Sequence, residues 1–145
     1  MHLMVYLSSA SYLFSDEELM DILTKSRSNN SRLGITGLLL YCDGSILQIL
    51  EGEKEVLDTL YNTISRDIRH KGVIKMIDKS ITERSYGDWA MGFKRISNDD
   101  WSKINGYFNL NNKGKFNELT SAGNSQVITM INSFANVNML EKRRF

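Results

Sequence analysis

Asp43-Gly44 separates two apolar runs, Leu38 to Tyr41 and Ser45 to Glu51, and this pairing constrains the fold more than any other feature of the chain. Asp-Gly accepts the positive φ angles of a two-residue hairpin turn, so the runs are expected to lie antiparallel. Side chains of a strand alternate between faces. Ile46, Gln48 and Leu50 therefore share one face of the returning strand, and Leu47 and Ile49 share the other.

The flanking sequence supplies the remaining elements. Leu3 to Ser8 reads as a first strand. Ser15-Asp16-Glu17-Glu18 is a capping-box pattern that opens a helix over 16–28, with Leu19, Ile22, Leu23 and Ser26 on one stripe. Asn29 and Asn30 suit its C-terminal end, because Asn tolerates left-handed backbone geometry. Glu53 to Asp67 predicts a second helix whose Val56, Leu57, Leu60, Tyr61 and Ile64 face the sheet, and Val73 to Thr82 and Trp89 to Ile96 read as two more strands. The order βαββαββ gives an α+β, ferredoxin-like sheet with both helices on one face. Residues 1–97 form that domain. Residues 98–145 read as a C-terminal helical extension, with Trp101, Ile104 and Phe108 on one stripe and Val127, Ile131 and Phe134 on another. The sheet face away from the first two helices is the surface such stripes would cover.

Composition narrows the function. A chain of 145 residues fits one domain, and its net charge of +1 argues against bulk electrostatic binding of nucleic acid. One cysteine, Cys42, excludes an internal disulfide framework, and His2 and His70 are too few histidines for most histidine-based metal sites, so no metal is expected. No apolar run approaches membrane-spanning length and no secretory leader is evident, which makes a cytoplasmic location the expectation, without membrane association. There is no phosphate-binding glycine loop, nucleophile elbow or HExxH zinc motif, so no enzymatic activity is expected.

Three polar side chains stand where the pattern calls for core. Gln48 shares a face with Ile46 and Leu50, and a buried amide without partners costs roughly 1–3 kcal/mol. Tyr6 shares a face with Met4 and Ser8, and its hydroxyl has the same need. Asn30 closes the first helix. Each also has an ordinary use: a buried Tyr bonds a backbone carbonyl, a strand Gln lies at an edge, and an Asn caps a helix. Spacing alone favours these ordinary uses, and Trp89 and Met91, one strand period apart, can be ordinary core.

From Met4 to Phe93 the sequence resembles the BLUF family of blue-light sensors. The resemblance is carried by Val5-Tyr6-Leu7-Ser8, Ser26-Arg27-Ser28-Asn29-Asn30, Gly34-Ile35-Thr36-Gly37-Leu38-Leu39-Leu40-Tyr41, and Asp43-Gly44-Ser45-Ile46-Leu47-Gln48-Ile49-Leu50-Glu51-Gly52. Arg66-Asp67-Ile68-Arg69-His70 and Trp89-Ala90-Met91-Gly92-Phe93 continue it. It implies an oxidised flavin, FAD with FMN as the alternative, held between the two helices. It also implies Tyr6 as light-driven electron and proton donor, and Gln48 as the amide that rearranges beside the flavin. Asn30 would hold the flavin edge, Arg69 would approach its pyrimidine side, and Asn29, Asp67 and His70 would lie near it. Met91 and Trp89 would relay the change to a downstream signalling protein, in a chain that also self-associates as a homo-oligomer. Ile46 and Tyr86 depart from the family, which often has Phe at both. The competing readings are a ferredoxin-like binding module or small phosphatase-type enzyme, and a flavin binder without photoactivity. An RNA-binding version would want exposed stacking aromatics where these strands carry Leu and Ile.

Overall fold

The computed structural model describes residues 1–42, 44–87, 90–95, 127, 129–131, 133 and 134. Its elements are β1 (His2–Ala10), α1 (Asp16–Leu33), β2 (Thr36–Cys42), β3 (Ser45–Gly52), α2 (Lys54–Ser65), β4 (His70–Ser80) and β5 (Gly92–Arg95). The sheet order is β4-β1-β3-β2-β5. The first four strands are antiparallel neighbours, and β5 pairs parallel with β2. This is the ferredoxin-like α+β arrangement expected from the sequence.

The two-residue strand period sorts the core into two layers. Met4, Tyr6, Leu39, Tyr41, Ile46 and Leu50 pack with Leu19 and Leu23 of α1 and Leu57 of α2. On the other face Leu3, Val5, Leu38, Leu40, Leu47 and Ile49 are buried with Tyr86, Val127 and Ile131. Residues 127, 129–131, 133 and 134 are helical. The stripe expected on Trp101, Ile104 and Phe108 lies outside the described residues, as do Asp43 and Trp89. Gly44 of the hairpin has φ 97°.

Element ends differ from the sequence reading for local reasons. The capping box forms as expected, with Ser15 Oγ accepting from Glu18 N and Glu18 Oε1 accepting from Ser15 N. However, α1 runs past Asn29 and Asn30 to Leu33. Gly34, at φ 69°, adopts the left-handed cap, and its N–H donates to Asn30 O. Glycine takes that conformation without the Cβ penalty an Asn would carry, so the helix stops there. At the end of α2, Asp67 Oδ1 accepts from Arg69 N at 2.9 Å, an Asx-type turn that ends the helix at Ser65. β4 then begins at His70 because Ala10 at the end of β1 pairs with it. β5 begins at Gly92, later than the predicted Trp89, and pairs in parallel from Leu38 with Gly92 to Tyr41 with Arg95; Ile96 lies outside the described residues.

Candidate functional site

A cleft opens between α1, α2 and the sheet. The α1 wall is the stripe Leu19, Ile22, Ser26, Asn29 and Asn30. The floor includes Tyr6, Leu39, Tyr41, Ile46 and Gln48, and Leu60, Ile64, Asp67, Arg69 and His70 close the far side. The cavity measures about 150 Å³, roughly ten times what one water needs. Apolar walls surround a few convergent polar groups, the usual composition of a small-molecule site.

Tyr6 and Gln48 sit at the centre of the floor. β3 is the middle strand, so the edge-strand reading of Gln48 does not hold. Tyr6 Oη donates to Gln48 Oε1, and Gln48 Nε2 donates to Met91 Sδ at 3.5 Å. All three residues are buried. The Tyr6 ring also meets the rings of Tyr61 at 5.9 Å and His70 at 6.4 Å, edge to face. Burial pushes the Tyr6 pKa far above the ordinary phenol range, and the nearby Tyr61 and Asp67 raise it further. The hydroxyl therefore holds its proton and donates it to the amide oxygen.

Asn30 is not a cap. It is buried inside the last turns of α1, and its Nδ2 donates to Ala90 O at 2.9 Å. That bond uses one amide hydrogen, and a primary amide also has an acceptor oxygen and a second hydrogen to offer. One turn earlier, Arg27 Nε donates to Met91 O at 2.9 Å.

At the far side, Arg69 Nε lies 3.0 Å from each oxygen of Asp67. The Arg69 hydrogen bonds hold the Asp67 carboxyl below the usual carboxylate range, and the carboxylate in turn raises the guanidinium pKa. His70 has both ring nitrogens engaged, Nε2 with Ile64 O and Nδ1 with Ser8 Oγ at 2.9 Å. A carbonyl can only accept, so Nε2 carries hydrogen, and in the neutral ring Nδ1 accepts the serine hydroxyl.

The cleft brings together Tyr6, Gln48, Asn29, Asn30, Asp67, Arg69 and His70, the residues singled out in the sequence. Met91 stands behind Gln48, and Trp89 lies outside the described residues. Sequence reasoning missed Ser8, Tyr61 and Arg27 as site neighbours. Ser8 was legible as a face-mate of Tyr6, and Tyr61 as part of the α2 stripe; Arg27 stood in the motif Ser26–Asn30 with nothing to mark its partner. Among the described residues no cluster of three or more metal-ligating side chains occurs, and no helix is long and apolar enough to cross a membrane.

Residues 1–92 match the family model described as sensors of blue-light using FAD, BLUF. The photoactivated adenylate cyclase subunit alpha of Euglena gracilis is 37% identical over 82 residues, which are 57% of this chain and 8% of that protein. The chain thus spans less than a tenth of that relative's length. In structure the chain resembles the BLUF protein BlrB in its dark state, with TM-score 0.63 and 33% identity over 65% of this chain and 71% of the other. It also resembles the photo-activated state of BlsA, with TM-score 0.64 and 30% identity over 90% of this chain and 91% of the other.

Proposed function

The chain belongs to the BLUF family of flavin-binding blue-light sensors, and from that premise we propose that it binds FAD in the α1–α2 cleft and reports light through the Tyr6–Gln48–Met91 network. The carrying observation is the continuous chain of donors from Tyr6 Oη through the Gln48 amide to Met91 Sδ. The residues fit a flavin: Leu19, Ile22, Leu39 and Ile46 offer apolar surface to a ring system. Gln48, Asn30 and Asn29 offer both donors and acceptors to a heterocycle edge. Arg69 and Asp67 present a paired charge beside it.

When bound, an oxidised flavin supplies a light-excitable electron acceptor with a hydrogen-bonding edge. Tyr6 is the donor within this chain. Its raised pKa keeps the proton on Oη until an electron leaves, and Gln48 Oε1 is the atom positioned to receive that proton. A primary amide has one acceptor and two donors at its tip, so Gln48 can settle into a second hydrogen-bond arrangement after the charge returns. Met91 Sδ, a weak acceptor, gives up its donor at little cost. No net chemistry follows, in keeping with a sensor that has no enzymatic activity of its own and acts in the cytoplasm through a downstream signalling protein or a homo-oligomer interface.

Spectroscopy on purified protein tests this. A yellow protein with a flavin spectrum, a reversible red shift under blue light, and FAD released on denaturation is expected. Colourless protein that does not take up added FAD overturns the binding reading, and flavin-loaded protein without a light-minus-dark difference overturns the switch.

A further inference from the structure

Among the described residues Gln48 has two side-chain partners, and the structure fixes the second less directly than the first. Tyr6 is held by sheet register, but Met91 precedes β5 in a segment that must be fastened by other means. Glu51, itself buried, accepts from Ser85 N at 2.7 Å and Tyr86 N at 2.8 Å and anchors one part of that segment. Arg84 adds bonds to Thr36 Oγ1, Glu51 O and Gly34 O, and nearest Met91 a further fastening comes from α1. Arg27 and Asn30, spaced i and i+3 on one helix face, donate to consecutive carbonyls, Met91 O and Ala90 O, each at 2.9 Å.

The two donors are not equivalent. Asn30 lines the cleft, and Arg27 does not. Arg27 is partly withdrawn from water, and burial lowers its pKa from the ordinary arginine value. A guanidinium bonding a neutral carbonyl is a charge-assisted contact, stronger than the neutral amide bond beside it. It holds the peptide of the one residue whose sulfur accepts from Gln48.

We propose that Arg27 is a positioning residue: by gripping Met91 O it sets Met91 Sδ against the Gln48 amide and so speeds the return of the light-driven switch. The proposal rests on the reading of Gln48 as that switch. Recovery requires the amide to find the sulfur again. With the Met91 backbone tethered, the acceptor is already in place; without the tether its ordering adds to the barrier.

The test uses the full chain loaded with FAD and labelled with ¹³C at the methionine methyl groups. Arg27→Leu should move the Met91 methyl resonance by more than its linewidth, in the dark and also in flavin-free protein. Arg27→Lys, which keeps a charged donor, should restore it. Dark recovery should slow roughly tenfold in Arg27→Leu, equivalent to ~1.4 kcal/mol in the barrier. In a Met91→Leu background the same substitution should change recovery less than twofold. If Arg27→Leu does not fold, Arg27→Gln, a shorter neutral donor, should give a smaller change in the same direction. An unmoved Met91 methyl, unchanged or faster recovery, or an equal slowing in the Met91→Leu background overturns the proposal. Absence of any photocycle in the wild type would refute the switch reading instead, and the methyl shift would still report whether Arg27 places Met91.

Discussion

Tyr6 and Gln48 are directly opposed cross-strand partners of β1 and β3, so their hydrogen bond is set by sheet register and not by side-chain reach. A slip of one residue would send one of them to the opposite face. Register is in turn fixed by burial on both faces, with Met4 and Leu50 packed on the helix side and Val5 and Ile49 on the other. The apolar pattern of the strands therefore places the polar pair.

Removing either member should silence the light response while leaving the flavin bound. Tyr6→Phe deletes the donor to Gln48 Oε1, and Gln48→Leu deletes the acceptor. Each leaves a buried polar group without that partner, so a stability loss of roughly 1–3 kcal/mol is also expected. Light-minus-dark spectra and urea midpoints measure both. Because burial holds the phenol well above its ordinary pKa of about 10, the wild-type response should keep its amplitude from pH 7 to 10. A response that fades across that range would show the phenol ionising.

Gly37→Ala should be far more damaging than its size suggests. A Cβ at Gly37 would lie 1.9 Å from Ile49 O and 2.9 Å from its carbonyl carbon, both backbone atoms of the central strand. No rotamer change relieves that contact, so β2 must move away from β3. Overpacking usually costs about 1–3 kcal/mol and more where backbone must shift; a loss of at least ~3 kcal/mol is expected, with reduced flavin retention. Thermal unfolding that matches the wild type would contradict the geometry.

Most of the fold was legible because periodicity reports burial directly. The alternation around Gln48 and the stripe from Leu19 to Ser26 each placed side chains on the face where the structure has them. The end of α1 was misread because Asn29-Asn30 is a plausible stop, and the stronger signal, Gly34, stands four residues beyond Asn30. That error concealed that Asn30 lies inside the helix and reaches Ala90. Within the site, Tyr6 and Gln48 were visible as polar residues in apolar strands. Arg27 was not, since its partner is the Met91 carbonyl, 64 residues away, and no local pattern encodes a backbone acceptor at that distance.

The Asp67–Arg69 pair should give a modest, pH-dependent contribution. The Arg69 hydrogen bonds lower the folded-state pKa of Asp67 below 3.8. A depressed acid stabilises the fold above its unfolded pKa of about 3.9, and that stabilisation is lost as pH falls through the folded value. The pair is partly exposed, so no more than about 1 kcal/mol is expected. The urea midpoints of wild type and Asp67→Asn should differ at pH 7 and converge as the pH drops below 4. A constant difference across that range would assign the effect to packing.

Glu51 should prove structural and outside the light reaction. Glu51→Leu removes the acceptor of the Ser85 and Tyr86 amides and should cost about 2–6 kcal/mol, near 1–3 for each orphaned group. Glu51→Gln keeps one acceptor oxygen and should lose about half as much. Hydrogen exchange at those two amides should accelerate in both variants, more in the leucine one.

The sheet face away from the cleft carries the last prediction. Val127 and Ile131 are buried there with Leu3, Val5, Leu47 and Ile49, back to back with the strand positions that hold Tyr6 and Gln48. A rearrangement of Gln48, as proposed, would act on the same central strand, and a differential stability of a few kcal/mol suffices to shift a two-state contact. Ile131→Ala should destabilise the protein by ~2–5 kcal/mol and leave the light-induced red shift intact, because the cleft lies on the other face. Hydrogen exchange in dark and light separates a cover from a relay. If this segment carries the output, protection over residues 127–134 should fall in light, and Gln48→Leu should abolish the difference. Identical protection in both states, with the photocycle running, would leave the segment as a cover for an apolar face and place the output elsewhere.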